Sequence, residues 1–335
     1  MKCGILIFLL VISCLPALSA EKPKPFQVIH LDTLKPDPHG CEVKWTSFVN
    51  QMIWTDDDHL VVWLIYSCYS HDSKDRKSPT KLAVFDTTGG VRSIWSEFSF
   101  GFLPGPSGTL LIGHGSQADV LDKELGTKQS LKCPMENIAC SIFGPLSHSS
   151  SSDFALCSYT AIEENCAFYR GFPSEKVSER KLDRPLSNRI PNDPYEEATF
   201  PTTGLTPPDR RKAWRVGPSE LWYFDDHQRL ARMDSKGPMG LVSAQKWTPE
   251  YSECTGDLSG SEPRRFLATC VGAHIYTDGE LDALFAYSRI ALFDVASRQI
   301  LARIEGPAYT SAVLSPSGKL IAVEHMSKIR FYRAN

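Results

Sequence analysis

The segment 312–332, at the end of this 335-residue chain, constrains the fold more than any other stretch. It reads as an apolar strand, a Ser-Pro-Ser-Gly turn at 315–318, a second apolar strand, a short polar break and a third strand. The proline restricts φ and the glycine leaves the backbone free, so this turn sequence favours a β-hairpin. Similar turn sequences precede apolar strands at 105–112 and 217–224. One strand–turn–strand unit therefore recurs along the chain.

Repeated units built only of strands predict a β-propeller, in which each unit forms one blade of a ring. Four predicted strands between 49 and 95 form a first blade, and comparable groups follow it. The last group has only three strands, whereas the predicted strand at 26–32 has no neighbour. Pairing the two would complete a blade and cover a free edge. We therefore expect an all-β propeller of six four-stranded blades closed by its N-terminal strand, with seven blades as the alternative if 183–212 forms one.

The first twenty residues are typical of a signal peptide. Lys2 provides the positive charge, 4–12 is apolar, and small residues precede Glu21. The apolar run is too short to span a bilayer, so we expect no transmembrane helix. Cys14 follows Val-Ile-Ser in a pattern similar to a bacterial lipobox, which makes lipidation the alternative to plain cleavage. The expected location is therefore outside the cytoplasm, either periplasmic or secreted, or lipid-anchored at Cys14.

The remaining residues, 21–335, are expected to form a single propeller domain. Its succession of strands is interrupted at 183–212, where six prolines disfavour a regular strand ladder. Insertions in surface loops cost little free energy, so we interpret this segment as a surface insertion. A functional loop is the alternative, because long loops inside compact domains often carry function. A second long insertion is expected at 272–284, within the fifth group of strands.

Ten cysteines occur, eight of them after the signal peptide, and an even number in an exported chain favours disulfides. The sequence has no Cys-x-x-Cys, so neither a zinc knuckle nor a redox pair is indicated. Cysteines on neighbouring strands of a hairpin can lie opposite each other, close enough for a bridge. Buried free thiols are the alternative. The expected pairs are Cys157–Cys166, Cys254–Cys270, Cys133–Cys140 and Cys41–Cys68.

The repeated units resemble those of bacterial exported WD-repeat-like propellers. The resemblance rests on Leu-Ser-Pro-Ser-Gly-Lys-Leu-Ile-Ala at 314–322 and on two strand ends, Phe85-Asp86 and Phe293-Asp294. In that family the turn is commonly Ser-Pro-Asp-Gly, and Trp-Asp or Phe-Asp ends a strand. The resemblance implies a propeller fold. It implies no particular activity, because propellers serve as binding modules and as enzymes.

Ser78-Pro-Thr-Lys81 matches Ser-x-x-Lys, but Pro79 and the adjacent predicted strand exclude the helix that this catalytic motif requires. No other local motif for nucleophilic catalysis or phosphate binding occurs, so we predict no catalytic residue and no cofactor. Three histidines, His114, His274 and His325, lie on or just after predicted second strands. From there they could converge on one rim of the channel as metal ligands, with a solvated or structural role as the alternative. The acidic run at 56–59 lacks the ligand spacing of a calcium loop and is interpreted as a solvated turn.

The composition is that of an ordinary globular protein, with 22% charged residues and a net charge of −3. This charge gives no reason to expect binding to nucleic acid. The leading hypothesis is an exported, monomeric, non-catalytic propeller of the cell envelope that binds a protein or peptide on one rim. The alternative is a hydrolase or lyase in which acid, base or metal-binding residues from several blades converge at the mouth of the channel.

Overall fold

A computed structural model shows a chain built almost entirely of β-strands. Residues 1–20, for which a signal peptide is predicted, and the proline-rich segment at 183–212 lie outside the residues that it describes. The described residues are 23–34, 42–43, 48–65, 68–69, 80–96, 102–105, 109–143, 154–160, 163–171, 174–182, 213–217, 220–225, 227, 229–234, 236–242, 251–259, 264–276, 283–307, 311–325 and 327–334.

Strands of three to eight residues predominate in the first half of the chain, and a short 3-10 helix, Leu31–Leu34, follows the first of them. In order they are β1 (Gln27–His30), β2 (Glu42–Val43), β3 (Phe48–Trp54), β4 (His59–Ile65), β5 (Cys68–Tyr69), β6 (Thr80–Asp86), β7 (Val91–Ser96), β8 (Phe102–Pro104), β9 (Leu110–His114), β10 (Gln117–Leu121), β11 (Thr127–Lys132), β12 (Cys140–Phe143), β13 (Phe154–Tyr159), β14 (Glu164–Arg170) and β15 (Glu175–Leu182).

The second half of the chain continues in the same way, with two longer strands in its middle. These strands are β16 (Ala213–Gly217), β17 (Glu220–Phe224), β18 (Leu230–Asp234), β19 (Gly237–Leu241), β20 (Tyr251–Leu258), β21 (Arg265–Tyr276), β22 (Ala283–Asp294), β23 (Ile300–Pro307), β24 (Ala312–Leu314), β25 (Leu320–His325) and β26 (Lys328–Arg333).

Six four-stranded antiparallel sheets form the blades, and β2 and β5 make a separate short pair. Blade 1 contains β3, β4, β6 and β7; blades 2 to 5 contain β8–β11, β12–β15, β16–β19 and β20–β23; blade 6 contains β24–β26 and β1. The first strands of successive blades contact one another: β24 contacts β3, and β20 contacts β24. The first strand of each blade is therefore the innermost. The prediction of a six-bladed propeller is confirmed.

The N-terminal strand closes the ring, as the sequence predicts. β1 pairs antiparallel with β26, with Gln27 opposite Phe331 and His30 opposite Lys328. Ile29 is 6% exposed and Leu31 fully buried, and both join the core that blades 6 and 1 share. The first segment of the chain therefore supplies the outer strand of the last blade, so both chain ends hold one sheet together.

Apolar side chains between adjacent blades form the cores of the molecule. Residues of blades 1 and 2 share one such cluster, blades 2 and 3 a second, blades 4 and 5 a third, and blades 5 and 6 a fourth. In the third, the indole of Trp222 packs edge-on against Phe266 and Phe293, with ring centroids 5.3 and 6.2 Å apart. Alternating residues of each strand thus pack against opposite neighbours, as a ring of twisted sheets requires.

The two faces of the ring carry different connections. Because each blade begins on its inner strand and alternates in direction, its first and third turns lie on one face, which we call the turn face. The opposite face, the loop face, carries the second turns and the links between blades. On the turn face, blade 6 is fixed to both neighbours: Asp57 Oδ1 accepts the Ser317 N–H at 2.9 Å, and Arg265 donates to the Gly318 carbonyl at 2.9 Å.

The inner strands of blades 5 and 6 are joined by a carboxylate. Asp257 Oδ2 accepts the N–H of Leu314 at 2.8 Å, and Oδ1 accepts the N–H of Leu258 at 2.9 Å. On the other side of blade 6, the Trp54 indole donates to the Val313 carbonyl at 3.3 Å. Side chains therefore satisfy backbone groups of β24, which has no strand partner on its channel side.

One region departs from the expected strand pattern. The sequence suggested a long insertion at 272–284, but β21 runs on to Tyr276 and β22 begins at Ala283. Beyond Gly272 and Tyr287 the two strands pair only with each other. In this segment the blade thus continues as a two-stranded ribbon on the loop face.

Three disulfides lie in the described residues, and their pairs are ones that the sequence predicts: Cys133–Cys140, Cys157–Cys166 and Cys254–Cys270. Two of them join residues directly opposite on neighbouring strands, with Cα atoms 4.1 Å apart. The fourth predicted pair is outside the described residues, since Cys41 and the Cys68 side chain are not described. Its backbone neighbourhood is partly described, because Val43 pairs with Cys68.

Candidate binding groove between blades 4 and 5

Aspartate-capped turns on the turn face position the first residue of the candidate site. In blade 1, Asp86 ends its strand, and its Oδ1 accepts the N–H groups of Thr88 and Gly90 at 2.9 and 2.8 Å. Asp122 closes the corresponding turn of blade 2 through the N–H groups of Glu124 and Gly126. The Phe-Asp strand ends noted in the sequence are therefore turn caps, with a buried phenylalanine before the aspartate in blades 1 and 5.

The third turn of blade 5 is also capped by an aspartate, but an arginine occupies its penultimate position. Asp294 Oδ1 accepts the N–H of Ser297 at 2.7 Å, and the turn is one residue longer than those of blades 1 and 2. Its penultimate residue, Arg298, has φ 59°, whereas the penultimate residue of the blade 1 turn is Gly89, with φ 97°. A left-handed conformation costs a residue with a Cβ about 1–2 kcal/mol. Arg298 occupies this position despite that cost.

The Arg298 side chain reaches across to blade 4. Its NH2 atom lies 3.7 Å from Glu220 Oε2, and NH1 of Arg232 on β18 lies 3.7 Å from Glu220 Oε1. These separations are those of ion pairs, longer than hydrogen bonds to a carboxylate. The three side chains are only 38%, 19% and 25% exposed for Arg298, Arg232 and Glu220. Two guanidinium groups therefore share a single carboxylate in a partly enclosed position.

The guanidinium groups retain unused donors. Within the described part of the chain, the Nε atoms of Arg232 and Arg298 are buried and have no hydrogen-bond partner. Glu220 is instead held by the indole of Trp222, whose Nε1 donates to Oε1 at 2.9 Å. A buried donor without a partner costs free energy, more so on a charged group. Both Nε atoms are covered by protein, so an acceptor between the two arginines could bond them only after the side chains shift.

The outer strand of blade 4 forms one wall of this groove. β19 reads Gly-Pro-Met-Gly-Leu, and Met239 and Leu241 are 44% and 39% exposed. Gly240 lies opposite Arg232, and a Cβ built on it would meet no atom within 4 Å. The space beside the arginine is therefore open. We define the blade 4–5 groove by Glu220, Arg232, Gly240 and Arg298.

The wall strand differs in charge from the other outer strands. Charged residues or histidine on an edge strand hinder pairing with another chain, and β19 has none. The other outer strands carry such residues as follows: His30 on β1, Arg92 on β7, Lys128 and Lys132 on β11, several on β15, and Arg303 and Glu305 on β23. The outer edge of blade 4 thus lacks charge, and Pro238 and the bulge between Arg232 and Met233 hinder pairing there instead.

The histidines predicted as metal ligands lie on three blades: His114 on β9, His274 on β21 and His325 on β25. His114 Nε2 is 2.6 Å from Asp119 Oδ2, and His325 is buried. The side chain of His274 is not described. Among the described residues, neither His114 nor His325 belongs to a group of three metal-ligating side chains. The three-histidine site stays a prediction that the described residues do not support.

Other clusters of residues that could bind a metal ion are bonded to groups of the protein itself. Among the described residues, the one group with metal-like spacing is Cys157, Glu164 and Cys166, and its two sulfur atoms are joined as a disulfide. In the acidic turn of blade 1, Asp56 Oδ1 accepts the N–H groups of Asp58 and His59, each at 2.8 Å. This geometry agrees with the interpretation of that run as a solvated turn.

Sequence reasoning missed the groove. Arg232 and Arg298 lie 66 positions apart in the chain and belong to different blades, so no local motif joins them. The aspartate-capped turn has Gly89 at its penultimate position in blade 1, Leu125 in blade 2 and Arg298 in blade 5, all with positive φ. The sequence alone does not provide these φ values, so it gave no signal for the groove.

Comparison with known proteins gives only distant similarities. No protein-family model and no curated protein matches the sequence. Among solved structures, the WD40 domain of Neurospora crassa Pan2 covers 93% of this chain and 95% of its own, at 10% identity and a TM-score of 0.38. The Dos1 propeller and the β-propeller domain of the Trilobed protease from Pyrococcus furiosus each have 9% identity and a TM-score of 0.37. They cover 86% and 88% of this chain, and 94% and 95% of their own chains. The fold given above rests on this chain's own strand order.

No helix in the described part of the chain has the length and apolar character needed to cross a membrane.

Proposed function

We propose that this propeller is a protein-binding module that holds an anionic group of a partner segment in the blade 4–5 groove. The observation that carries the proposal is the pair of guanidinium groups whose buried Nε donors have no partner in the described residues. Guanidinium groups recognise carboxylate and phosphate through paired hydrogen bonds. An anion in the groove would therefore gain charge-assisted hydrogen bonds that the free protein does not make.

The wall of the groove suits a protein segment better than a free small anion. Met239 and Leu241 are exposed at the uncharged outer edge formed by β19, whose Gly240 lies opposite Arg232. Leu241 lies opposite Ala231, on the face of the sheet away from the arginines, so a partner would cross this edge to cover the apolar side chains while its anionic group faces the groove. Interfaces typically combine such an apolar contact with an arginine anchor. The partner is thus expected to present an acidic residue among apolar neighbours.

Peptide selection tests this function. A random 12-residue peptide library displayed on phage is selected on the purified chain, and a recovered peptide is titrated by fluorescence anisotropy. We expect recovered peptides to be rich in Asp and Glu. Arg232→Gln is expected to weaken binding about 10- to 100-fold, because it removes charge-assisted hydrogen bonds. Arg298→Gly is expected to do the same while raising the stability by up to about 1 kcal/mol, since glycine adopts its φ without strain.

Lys123→Gln provides the matched control. Lys123 is an exposed cation in the third turn of blade 2, on the same face but in a distant blade. Its loss changes the net charge equally and should leave peptide affinity within about two-fold, since exposed charges away from a contact act weakly. Recovery of no binding peptide, or of peptides insensitive to both arginine variants, would refute the proposed function.

We also infer that the protein is exported and belongs to the bacterial WD-repeat-like propellers of the cell envelope. Residues 1–20 support the inference by their signal-peptide pattern, and the three disulfides by their preference for oxidising compartments. Lipidation at Cys14 remains the alternative to cleavage before Glu21.

Peptide mapping without reduction, on protein from its native source, checks export and pairing together. The expected result is a mature chain that begins at Glu21, with disulfide-linked peptides joining Cys157 to Cys166 and Cys254 to Cys270. Each bridge closes a short loop and is expected to stabilise the fold by about 3 kcal/mol in the chain-entropy account. Free thiols at these positions would contradict the oxidising location, and a lipidated Cys14 would replace cleavage at Glu21.

A further inference from the structure

The charge of the blade 4–5 groove limits which anion it accepts. Arg232 and Arg298 contribute two positive charges and Glu220 one negative charge, so the groove has a net charge of about +1. A carboxylate carries one negative charge, whereas a phosphate monoester carries about −1.5 to −2 at neutral pH. A carboxylate therefore neutralises the groove, and a phosphate leaves excess negative charge beside Glu220.

Glu220 cannot readily move away from an incoming anion. Its Oε1 accepts a 2.9 Å hydrogen bond from Trp222, whose side chain is fully buried. Phe266 and Phe293 pack edge-on against the indole and fix its orientation. The negative charge of Glu220 is thus held between the two arginines by the core of the blade 4–5 interface. Asp234 lies opposite Glu220 on β18 and accepts the backbone N–H of Lys236, so a second carboxylate borders this end of the groove.

We propose, building on the binding function above, that the groove is selective for a carboxylate over a phosphate. Its ligand is the side chain of an aspartate or glutamate, or a chain terminus, in the partner segment. Glu220 is then the residue that determines specificity: it disfavours the dianion by repulsion and leaves the guanidinium donors free, because it is 3.7 Å from each. Trp222 is a positioning residue that holds Glu220.

Matched peptides test the selectivity. A peptide recovered by selection is made with its acidic residue as Glu, as Gln and as phosphoserine, and each is titrated by fluorescence anisotropy. For the unmodified protein, the Glu peptide is expected to bind at least about 10-fold more tightly than either of the others. In Glu220→Gln the net charge of the groove rises, so the phosphoserine peptide should gain at least about 10-fold relative to the Glu peptide.

A control and a second measurement separate the outcomes. Glu136→Gln removes an exposed carboxylate from the link between blades 2 and 3 and should leave the Glu-to-phosphoserine ratio unchanged. Competition by acetate and by inorganic phosphate on the unmodified protein gives the same preference without any variant. At equal ionic strength, acetate should displace the Glu peptide at a lower concentration than phosphate does.

Phosphoserine binding equal to or tighter than Glu binding, or a ratio unaffected by Glu220→Gln, would overturn the selectivity and leave the binding function standing. A protein that binds none of the peptides would overturn the binding function itself. The two failures are therefore distinguishable.

Discussion

Replacing Ile29 and Leu31 together by alanine is expected to lower the melting temperature of the whole domain by about 10 °C or more. Each side chain is nearly or fully buried between blades 6 and 1, and alanine at such a site costs about 2–5 kcal/mol. A loss of that size lowers the melting temperature of a large domain by about 2–4 °C per kcal/mol. Because β1 is the outer strand of blade 6, its loss also exposes the edge of β26.

Val28→Ala is the matched control on the same strand. Val28 is 37% exposed, on the opposite side of β1 from Ile29, so its replacement should cost only a few tenths of a kcal/mol. Differential scanning calorimetry measures both variants. Equal melting temperatures for the double variant and the unmodified protein would show that β1 does not close the ring in solution.

Stability is expected to rise as the pH falls from about 8 to about 5. Burial raises the pKa of Asp257 to about 6 and that of Glu324 to about 7, although hydrogen bonds from backbone N–H groups act to lower both pKa values. Both values exceed those of the unfolded chain, so the folded state binds more protons over this interval. Each group thus destabilises the fold when charged, by on the order of 3 kcal/mol, and this penalty disappears as the group is protonated.

Other carboxylates determine the pH below which stability stops rising. The Thr88 hydroxyl lowers the pKa of Asp86 below its ordinary value, and the Ser297 N–H does the same for Asp294. For groups with a lowered pKa, the stabilisation is present above the unfolded-state value and is lost as the pH falls through the folded one. The stability maximum should therefore lie near pH 5, with a decrease on both sides.

Thermal unfolding at pH 5 and pH 8 checks this dependence. The melting temperature should be about 5–10 °C higher at pH 5. Glu324→Gln should raise it at pH 8 and reduce the difference between the two conditions, because glutamine has no charge to bury. Glu136→Gln, an exposed counterpart, should change neither value. A melting temperature that increases steadily from pH 5 to pH 8 would contradict the assignment of these two groups.

Most of the fold could be predicted from local sequence. Turn residues such as those at 315–318 and the Phe-Asp strand ends act on their own neighbours, so they identify hairpins without tertiary information. Three predicted strands at the end of the chain and one at its beginning are then left without a complete blade. Because unpaired strand edges are costly, the four are predicted to pair, and β1 closes the ring. Two of the cysteine pairs, Cys157–Cys166 and Cys254–Cys270, followed in the same way, because opposed residues of one hairpin are close in both sequence and space.

Local reasoning did not identify the pairing at 272–284. The sequence there contains Asp278-Gly279, a frequent hairpin turn, yet the length of the segment between the predicted strands suggests an insertion, whereas β21 and β22 extend into it. The predicted histidine cluster is not supported either. A position on the second strand of one blade does not determine the distance from that residue to a residue on another blade. His114 lies on blade 2, and at least one blade separates it from blades 5 and 6, which carry the other two histidines.

By itself, the sequence predicted the repeating hairpins and the strand that closes the ring and favoured six blades over seven, because these depend on interactions between near neighbours and on edge pairing. Only the tertiary structure decided where charges meet. Glu220 and Arg232 lie on blade 4 and Arg298 on blade 5, and packing of Trp222 against Phe266 and Phe293 brings the blades together. The groove exists because interblade packing fixes distances between residues that are far apart in the chain, and that information is absent from any single repeat.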